Sequence, residues 1–518
     1  MPEANPAASI RLDRAARPRE RAAPSLLPLL VVGFLVVLTV AAIRVGDGNI
    51  ALALAPSLLA MLVLALWLLP LRVSMLVLLG AAWAIDAPGS VFAAGLVTTP
   101  WKRVGELLWG KLNDAIHFPP LIFTGFDVVA LLLFGVVAYR QLRGSTLDRS
   151  AEWVDTPRPL GAFIWLSLGA VAWMGLYGLA RGGSFRFVLS QSIRWLYIPI
   201  VYALMRQALR GGVDARTVGK LVLGVGLFRA GEAILFRWWF PSIEELPHAT
   251  THADSVLFST CICILLAMLV EMRGKQISRF VLLLLPFFIG AMKANNRRLV
   301  FAQVAVGLLV MWFMTPWRRL KISVARILVA AALPLTLIYI PVGWNSNAAI
   351  FSPIRKVRSL TDPEVNKSTL WRQLENYDLV YTYEQRPVLG SGFGHPFQEV
   401  IKLPDITTAY ELEPYVPHNS VLGLWAYGGL LGFALLWAMF PVGLLFTARC
   451  YRWARTPLER VTALGAASVQ VAYLMEGYGD LGFGAWGPVF TMATAYALVG
   501  KICIANGAWG AGRIQPAT

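Results

Sequence analysis

The stretch PHNSVLGLWAYGGLLGFALLWAMFPVGLLF, Pro417 to Phe446, decides the fold. After His418 it holds no Asp, Glu, Lys or Arg. It is longer than the roughly 20 apolar residues that a helix needs to cross a hydrocarbon core. The polar interval 343–417 precedes it, with acids, bases, aromatics and His395, and His418 stands where that interval meets the apolar run. A hydrophobic chain that keeps one large polar loop ending on a boundary histidine is built for chemistry at a membrane surface.

Outward from this stretch, apolar runs recur near 26–43, 50–69, 71–86, 124–140, 160–180, 188–205, 217–236, 254–271, 279–292, 298–315, 324–342, 419–446, 460–476 and 482–503. Apolar residues make up 57% of the chain and charged residues 14%, more apolar surface than a soluble domain of this length hides. The fold class is an all-α polytopic membrane protein. It has about 12–14 transmembrane helices and one large periplasmic loop containing short helices. The segments read as a basic cytoplasmic N-terminal segment 1–25, disordered; transmembrane helices over 26–342; the periplasmic loop 343–417; C-terminal transmembrane helices over 418–503; and a cytoplasmic tail 504–518. Leu26–Ile43 is longer than a signal-peptide core and reads as an uncleaved first helix. Within the loop, Leu370, Leu374, Tyr377 and Tyr381 recur at helical spacing and predict a helix over Ser368–Tyr383. Trp101, Lys102, Arg103, Trp109 and Lys111 predict a second, interfacial helix in the outer segment 87–123.

Lys and Arg favour cytoplasmic loops. That bias puts Arg140, Arg206, Arg273, Arg319 and Arg452 in inner turns, both termini inside, and 343–417 outside the bacterial inner membrane. The net charge of +17 is this topology signal plus attraction to lipid headgroups. Basic residues scattered through short turns do not build a nucleic-acid face. None of the four cysteines falls in the outer loop, so no disulfide framework is implied. His248 and His252 stand near Asp254, but no second ligand pair supports a metal, and no cofactor is implied.

Two constellations carry chemistry. The first is arginine on the outer half of the membrane: Arg181 and Arg186 flank a short turn, Arg194 and Arg229 fall within spans, and Arg297 with Arg298 opens another. A mid-membrane charge costs about 2.5–3.5 kcal/mol on insertion scales, so these residues need compensation. Glu232 and Asp254 offer part of it by simple pairing. The arginines outnumber the acids, so an external phosphate, which guanidinium binds through paired hydrogen bonds, is the natural complement. The second is His418-Asn419. An imidazole titrates near 6.5 and accepts a proton near neutral pH. Asn419 is equally a helix cap, with His418 merely preceding it.

Pro417-His418-Asn419-Ser420-Val421-Leu422, followed by Tyr427-Gly428-Gly429-Leu430-Leu431-Gly432, resembles the signature after the large loop of the O-antigen ligase and polymerase superfamily. Pro387-Val388-Leu389-Gly390-Ser391-Gly392-Phe393-Gly394 is similar to that family's glycine-punctuated loop segment, and Asn295-Asn296-Arg297-Arg298-Leu299 stands where the family opens a helix on an arginine. The resemblance implies an integral membrane glycosyltransferase of polysaccharide (O-antigen or exopolysaccharide) biosynthesis, metal-independent and inverting. It would polymerise undecaprenyl-pyrophosphate-linked repeat units at the periplasmic face. Its alternatives are a ligase placing the glycan on lipid A-core or on protein, and a transporter or flippase of the lipid-linked glycan. Membrane lipids, lipid A-core and other polysaccharide-assembly proteins are the implied partners. His418 is the expected catalytic residue, with pyrophosphate on Arg297, Arg298, Arg194 and Arg229. Arg181, Arg186, His395, Asn419, Trp371 and Tyr377 are the expected glycan-binding or supporting residues.

Overall fold

The computed structural model describes residues 27–45, 50–85, 101–116, 123–143, 153–239, 249–272, 274–316, 319–346, 348–351, 354, 358, 367–403, 412, 414–479 and 482–509. The terminal segment expected at 1–25, residues 510–518 of the tail expected at 504–518, residues 87–100 and His248 lie outside these. The chain divides into two units, 1–65 and 66–518. The first holds α1 (Leu27–Val45) and most of α2 (Ile50–Leu68), both exposing apolar side chains such as Phe34 and Leu58.

The second unit continues with α3 (Leu71–Ala84), two short helices α4 (Lys102–Trp109) and α5 (Leu112–Ile116), then α6 (Gly125–Leu142), α7 (Arg158–Ala180), α8 (Phe185–Ala208), α9 (Ala215–Trp239), α10 (Ala253–Glu271), α11 (Lys275–Asn295) and α12 (Arg298–Met314). A further run joins α13 (Arg319–Pro334), a π turn (Leu335–Tyr339) and α14 (Ile340–Trp344). The polar interval contributes α15 (Lys367–Gln385). After it come α16 (Ser420–Trp437), α17 (Met439–Trp453), α18 (Pro457–Gly479) and α19 (Trp486–Ala505). No named strand occurs among the described residues. The fold is all-α and polytopic.

Among the described residues, seven helical runs are long and apolar enough to cross a membrane, and α8, bent by 45° beside Arg194, makes an eighth. Helices α9 and α18 are equally long, but Arg229 and Glu232 in one, and Gln470 and Glu476 in the other, lower their hydropathy. These polar groups are served inside the bundle. Ser259 donates to Gln303 at 3.2 Å, and Gln303 donates to Glu476 at 2.5 Å. Helices α10, α12 and α18 pack on one another around that chain, and α8 packs on α19.

Contacts between helix ends mark two ends of the bundle. At one, Arg72 pairs with Asp214 at 2.6 Å, Arg206 with Asp155 at 2.6 Å, and Lys501 donates to the Val154 carbonyl. At the other lie His418, the end of α7 and the start of α12.

Two features fix the polar interval on that second end. Helix α16 breaks at Gly429 (φ 57°, ψ −164°). The amides of Leu430 and Leu431 therefore abandon the helix and donate to the Pro387 and Val388 carbonyls, at 2.8 and 3.0 Å. The carbonyls of Ala426 and Tyr427 accept instead from Ser391 and Gly392, at 3.1 and 2.9 Å. Segment 387–392 thus replaces the missing helical rungs. Gly390 at φ 68° allows it, since a Cβ there would lie 2.3 Å from the Tyr427 carbonyl oxygen. The segment also packs on α7, where Phe393 donates to Met174 at 3.0 Å.

The second anchor is α15. The structure buries Glu375, Asp378, Leu379 and Thr382, and leaves Leu370 and Tyr377 exposed. The apolar spacing of Leu370, Leu374, Tyr377 and Tyr381 pointed to a different face. The buried one is polar because it receives backbone amides. Asp378 accepts from Val400 and Ile401 at 3.0 and 3.1 Å, and Thr382 from Gln398 at 2.8 Å. A small core of Leu379, Phe397 and Leu403 then closes on Ala426.

Gly178→Ala tests this docking, because its Cβ would fall 1.8 Å from the Phe393 carbonyl oxygen. We expect faster proteolysis within 386–403 and a lower melting temperature. Gly169→Ala on the same helix meets nothing within 4 Å and should behave as wild type.

Candidate active site at His418

His418 is the last residue but one before α16, and three contacts hold it. Its backbone N–H donates to Glu375 Oε1 at 2.9 Å, and its ring Nδ1 lies 3.3 Å from the same oxygen. The Trp371 ring meets the imidazole edge to face at 4.7 Å between centroids. Asn419 caps α16 by accepting from Leu422 at 3.1 Å and donates to Asn376 at 2.9 Å. Cap and histidine are therefore both tied to one turn of α15. A carboxylate only accepts, so Glu375 selects the tautomer with hydrogen on Nδ1 and leaves Nε2 as the basic nitrogen. The Glu375 side chain is 1% exposed and that of His418 21%, so the acid is sealed and the base reachable.

Pro417 and Ser420, either side of His418, line a narrow cleft of about 30 Å³ that runs down between α8 and α16. Its walls include Gln191, Trp195, Tyr415, Tyr427 and Phe483. Gln191 braces the rim by donating to the Tyr415 carbonyl at 2.6 Å and accepting from the Gly394 amide. Arg194 stands at the bend of α8 between cleft residues Gln191 and Trp195, and its side chain lies outside the described residues.

Arginines approach from another element. Asn296 takes the left-handed conformation (φ 52°) that turns α11 into α12. Arg297 occupies the N-cap position and Arg298 the first turn of α12, both half-buried. Arg372 of α15 is close enough to Arg298 to repel it. Arg372 follows Trp371, which touches His418, so α15 brings the α12 arginines and the histidine to one place. Positive charge at a helix N-terminus is unfavourable, and a second cation facing it more so.

Other residues singled out in the sequence are occupied in ways the structure makes plain. Arg229, 1% exposed, forms a bidentate pair with Asp254 at 3.0 and 2.8 Å and meets Glu232 at 2.7 Å. Two carboxylates hold its guanidinium, which accounts for its burial without an external anion. Arg181 donates to the Ser391 carbonyl at 3.0 Å and lies over Tyr177, while Arg186 lies over Phe187. His395 Nε2 donates to the Gly178 carbonyl at 3.2 Å. Arg181 and His395 brace the glycine segment against α7. Tyr377 is exposed on α15.

Residues 280–437 match the family model described as O-antigen ligase. The match supports the O-antigen ligase and polymerase superfamily. It takes in α11, α12, the whole polar interval and α16, which are the elements that meet around His418. It supports an O-antigen ligase or polymerase type of function in polysaccharide assembly. No curated protein matches the chain.

Sequence reasoning missed Glu375, Asp378 and Arg372. Acids on a loop helix look solvated, and only the spacing Trp371, Glu375, Asp378, Thr382, one helical face, hinted that this side turns inward.

Burial, helped by the charges of Arg181 and Arg386, lowers the His395 pKa, against the pull of the Gly178 carbonyl. The unfolded histidine takes up its proton near pH 6.5, before the folded one does. Stability linked to His395 is therefore present above that value and falls as the solution is acidified below it. The expected result is a lower melting temperature at pH 5.5 than at pH 7.5. His395→Gln, which keeps a donor toward Gly178, should narrow the difference.

Proposed function

We propose that the chain is a glycosyltransferase that moves a glycan from undecaprenyl pyrophosphate onto an acceptor hydroxyl at the periplasmic face of the inner membrane. The observation that carries this reading is the His418 ring, held by Glu375 and Trp371 beside a cleft between α8 and α16, on the same helix α15 whose Arg372 lies close enough to Arg298 of α12 to repel it. In the reaction the acceptor oxygen attacks the anomeric carbon, the bond from that carbon to the pyrophosphate oxygen breaks, and His418 Nε2 takes the hydroxyl proton. Attack opposite the leaving group inverts the anomeric centre. Undecaprenyl pyrophosphate departs with the bond's electron pair.

Arg297, Arg298 and Arg372 supply the charge for that leaving group, with Arg194 beside the cleft as a further contact. Fixed cations in a water-poor site stabilise developing negative charge without reorganising. Glu375 acts through His418 as a positioning residue. Arg229, held by Asp254 and Glu232, is left to the scaffold, and Arg181 and His395 to the glycine segment. Trp371 and exposed Tyr377 border the space from which a sugar acceptor arrives.

Polymerisation, in which donor and acceptor are both lipid-linked repeat units, is the first reading. Ligation to lipid A-core or protein is the second, favoured by the description of the matched family. A transporter has no use for a base held by a buried carboxylate.

Purified protein supplied with undecaprenyl-pyrophosphate-linked glycan, without metal or gradient, separates these readings. Longer lipid-linked glycan supports the polymerase. Transfer only after lipid A-core is added supports the ligase, and neither product overturns the proposal. His418→Ala should lower the rate by about 10²–10⁴-fold, the range of general base catalysis, with unchanged membrane insertion. Arg298→Ala should cost about 10²-fold, in line with loss of one charge-stabilising donor. Glu375→Gln should retain more activity than Glu375→Ala, because the amide oxygen still accepts from the His418 backbone, and should shift the pH–rate profile. Wild-type rates for His418→Ala would sink the site.

A further inference from the structure

An apolar crevice lies at the end of the bundle opposite His418. It has a volume of about 490 Å³ and lies between the first turns of α9, α11 and α18. Val222, Met268, Phe280 and Val469 are among its walls, and Phe280 is 42% exposed, so the crevice reaches the protein surface. At its edge stand Arg216 and Lys220, four residues apart on one face of α9, with Gln276 across from them on α11.

These three side chains are exposed and make no hydrogen bond or ion pair with a described residue. Three other basic residues at the same end are paired: Arg72 with Asp214, Arg206 with Asp155, and Arg460 with Glu271. Two cations and an amide donor rimming an apolar slot one helical turn inside the bundle match one kind of molecule. Its phosphate would accept from both basic side chains, and its acyl chain would fill the slot.

We propose that this crevice binds an anionic glycerophospholipid from the leaflet opposite His418. The lipid seats its phosphate on Arg216, Lys220 and Gln276 and its acyl chain between α9, α11 and α18. A zwitterionic lipid places the same chain but adds its own ammonium beside the two cations, so the site prefers net negative headgroups. The rival occupant, a polyprenyl phosphate, belongs to the chemistry proposed at the other end.

The test uses full-length protein, delipidated in nonionic detergent, with phosphatidylglycerol or phosphatidylcholine added and bound lipid counted by native mass spectrometry. Phosphatidylglycerol should bind roughly tenfold or more tightly than phosphatidylcholine, the scale expected for two basic side chains at an anionic headgroup. Arg216→Gln with Lys220→Gln, both on the surface, should abolish the preference. Arg143→Gln with Arg455→Gln, an equal charge change at the same end away from the crevice, should keep it. Equal binding of the two lipids, loss of the preference in the second double variant, or stronger retention of a polyprenyl phosphate would overturn the proposal.

Discussion

The exchange of hydrogen bonds around Gly429 is the constraint on which the polar interval depends. A helix that breaks within a membrane leaves amides and carbonyls without water to satisfy them, each at several kcal/mol. Here the same two amides and two carbonyls that would have closed rungs 426–430 and 427–431 are all taken by residues 387–392. The arrangement is reciprocal. Without the segment the broken helix is untenable, and without the break the segment has nothing to bond. Gly390 and Gly429 face each other across it, so close that a Cβ on either would strike the other's backbone, and both hold φ values that β-carbons disfavour.

This splice reaches His418 through α15. The chain leaves α15 at Gln385, enters the splice at Pro387, and returns along 396–403, where Asp378 and Thr382 receive its amides. With the C-terminal half of α15 so restrained and Glu375 bonded to His418, Trp371, Arg372 and Glu375 are held over the start of α16. The histidine then needs no second-domain contact. One carboxylate holds its backbone and ring together, and the neighbouring Asn419 starts the helix beneath it.

The hydropathy pattern made the helices legible, and all fourteen apolar runs fall on helices, with ends displaced by a few residues. Apolar periodicity works because lipid and core both reject polar atoms. It fails on α15 for the same reason, since that helix buries carboxylates that serve backbone amides, and Leu370 and Tyr377 are free to face outward. His418 was legible because it stands at a boundary. Glu375, 43 residues away, was not, because only tertiary folding brings a loop helix over the histidine. The three glycines were visible as a turn, but a helix break that one segment of chain must repair leaves no periodic trace.

The arginines show why counting charges does not assign roles. Arg229 and Arg298 look alike in sequence, each within or opening a span. Around Arg229 the structure gathers Asp254 and Glu232, so the cluster carries one net negative charge when all three are ionised. Around Arg298 it gathers Arg297 and Arg372, at the positive end of a helix. The first arrangement is complete in itself, and adding an anion would worsen it. The second gains from an anion by Coulomb attraction and by relief of repulsion between its own members. Under the proposed function, a site that holds pyrophosphate and then releases it has reason to leave that repulsion standing, because the repulsion opposes binding the leaving group too tightly.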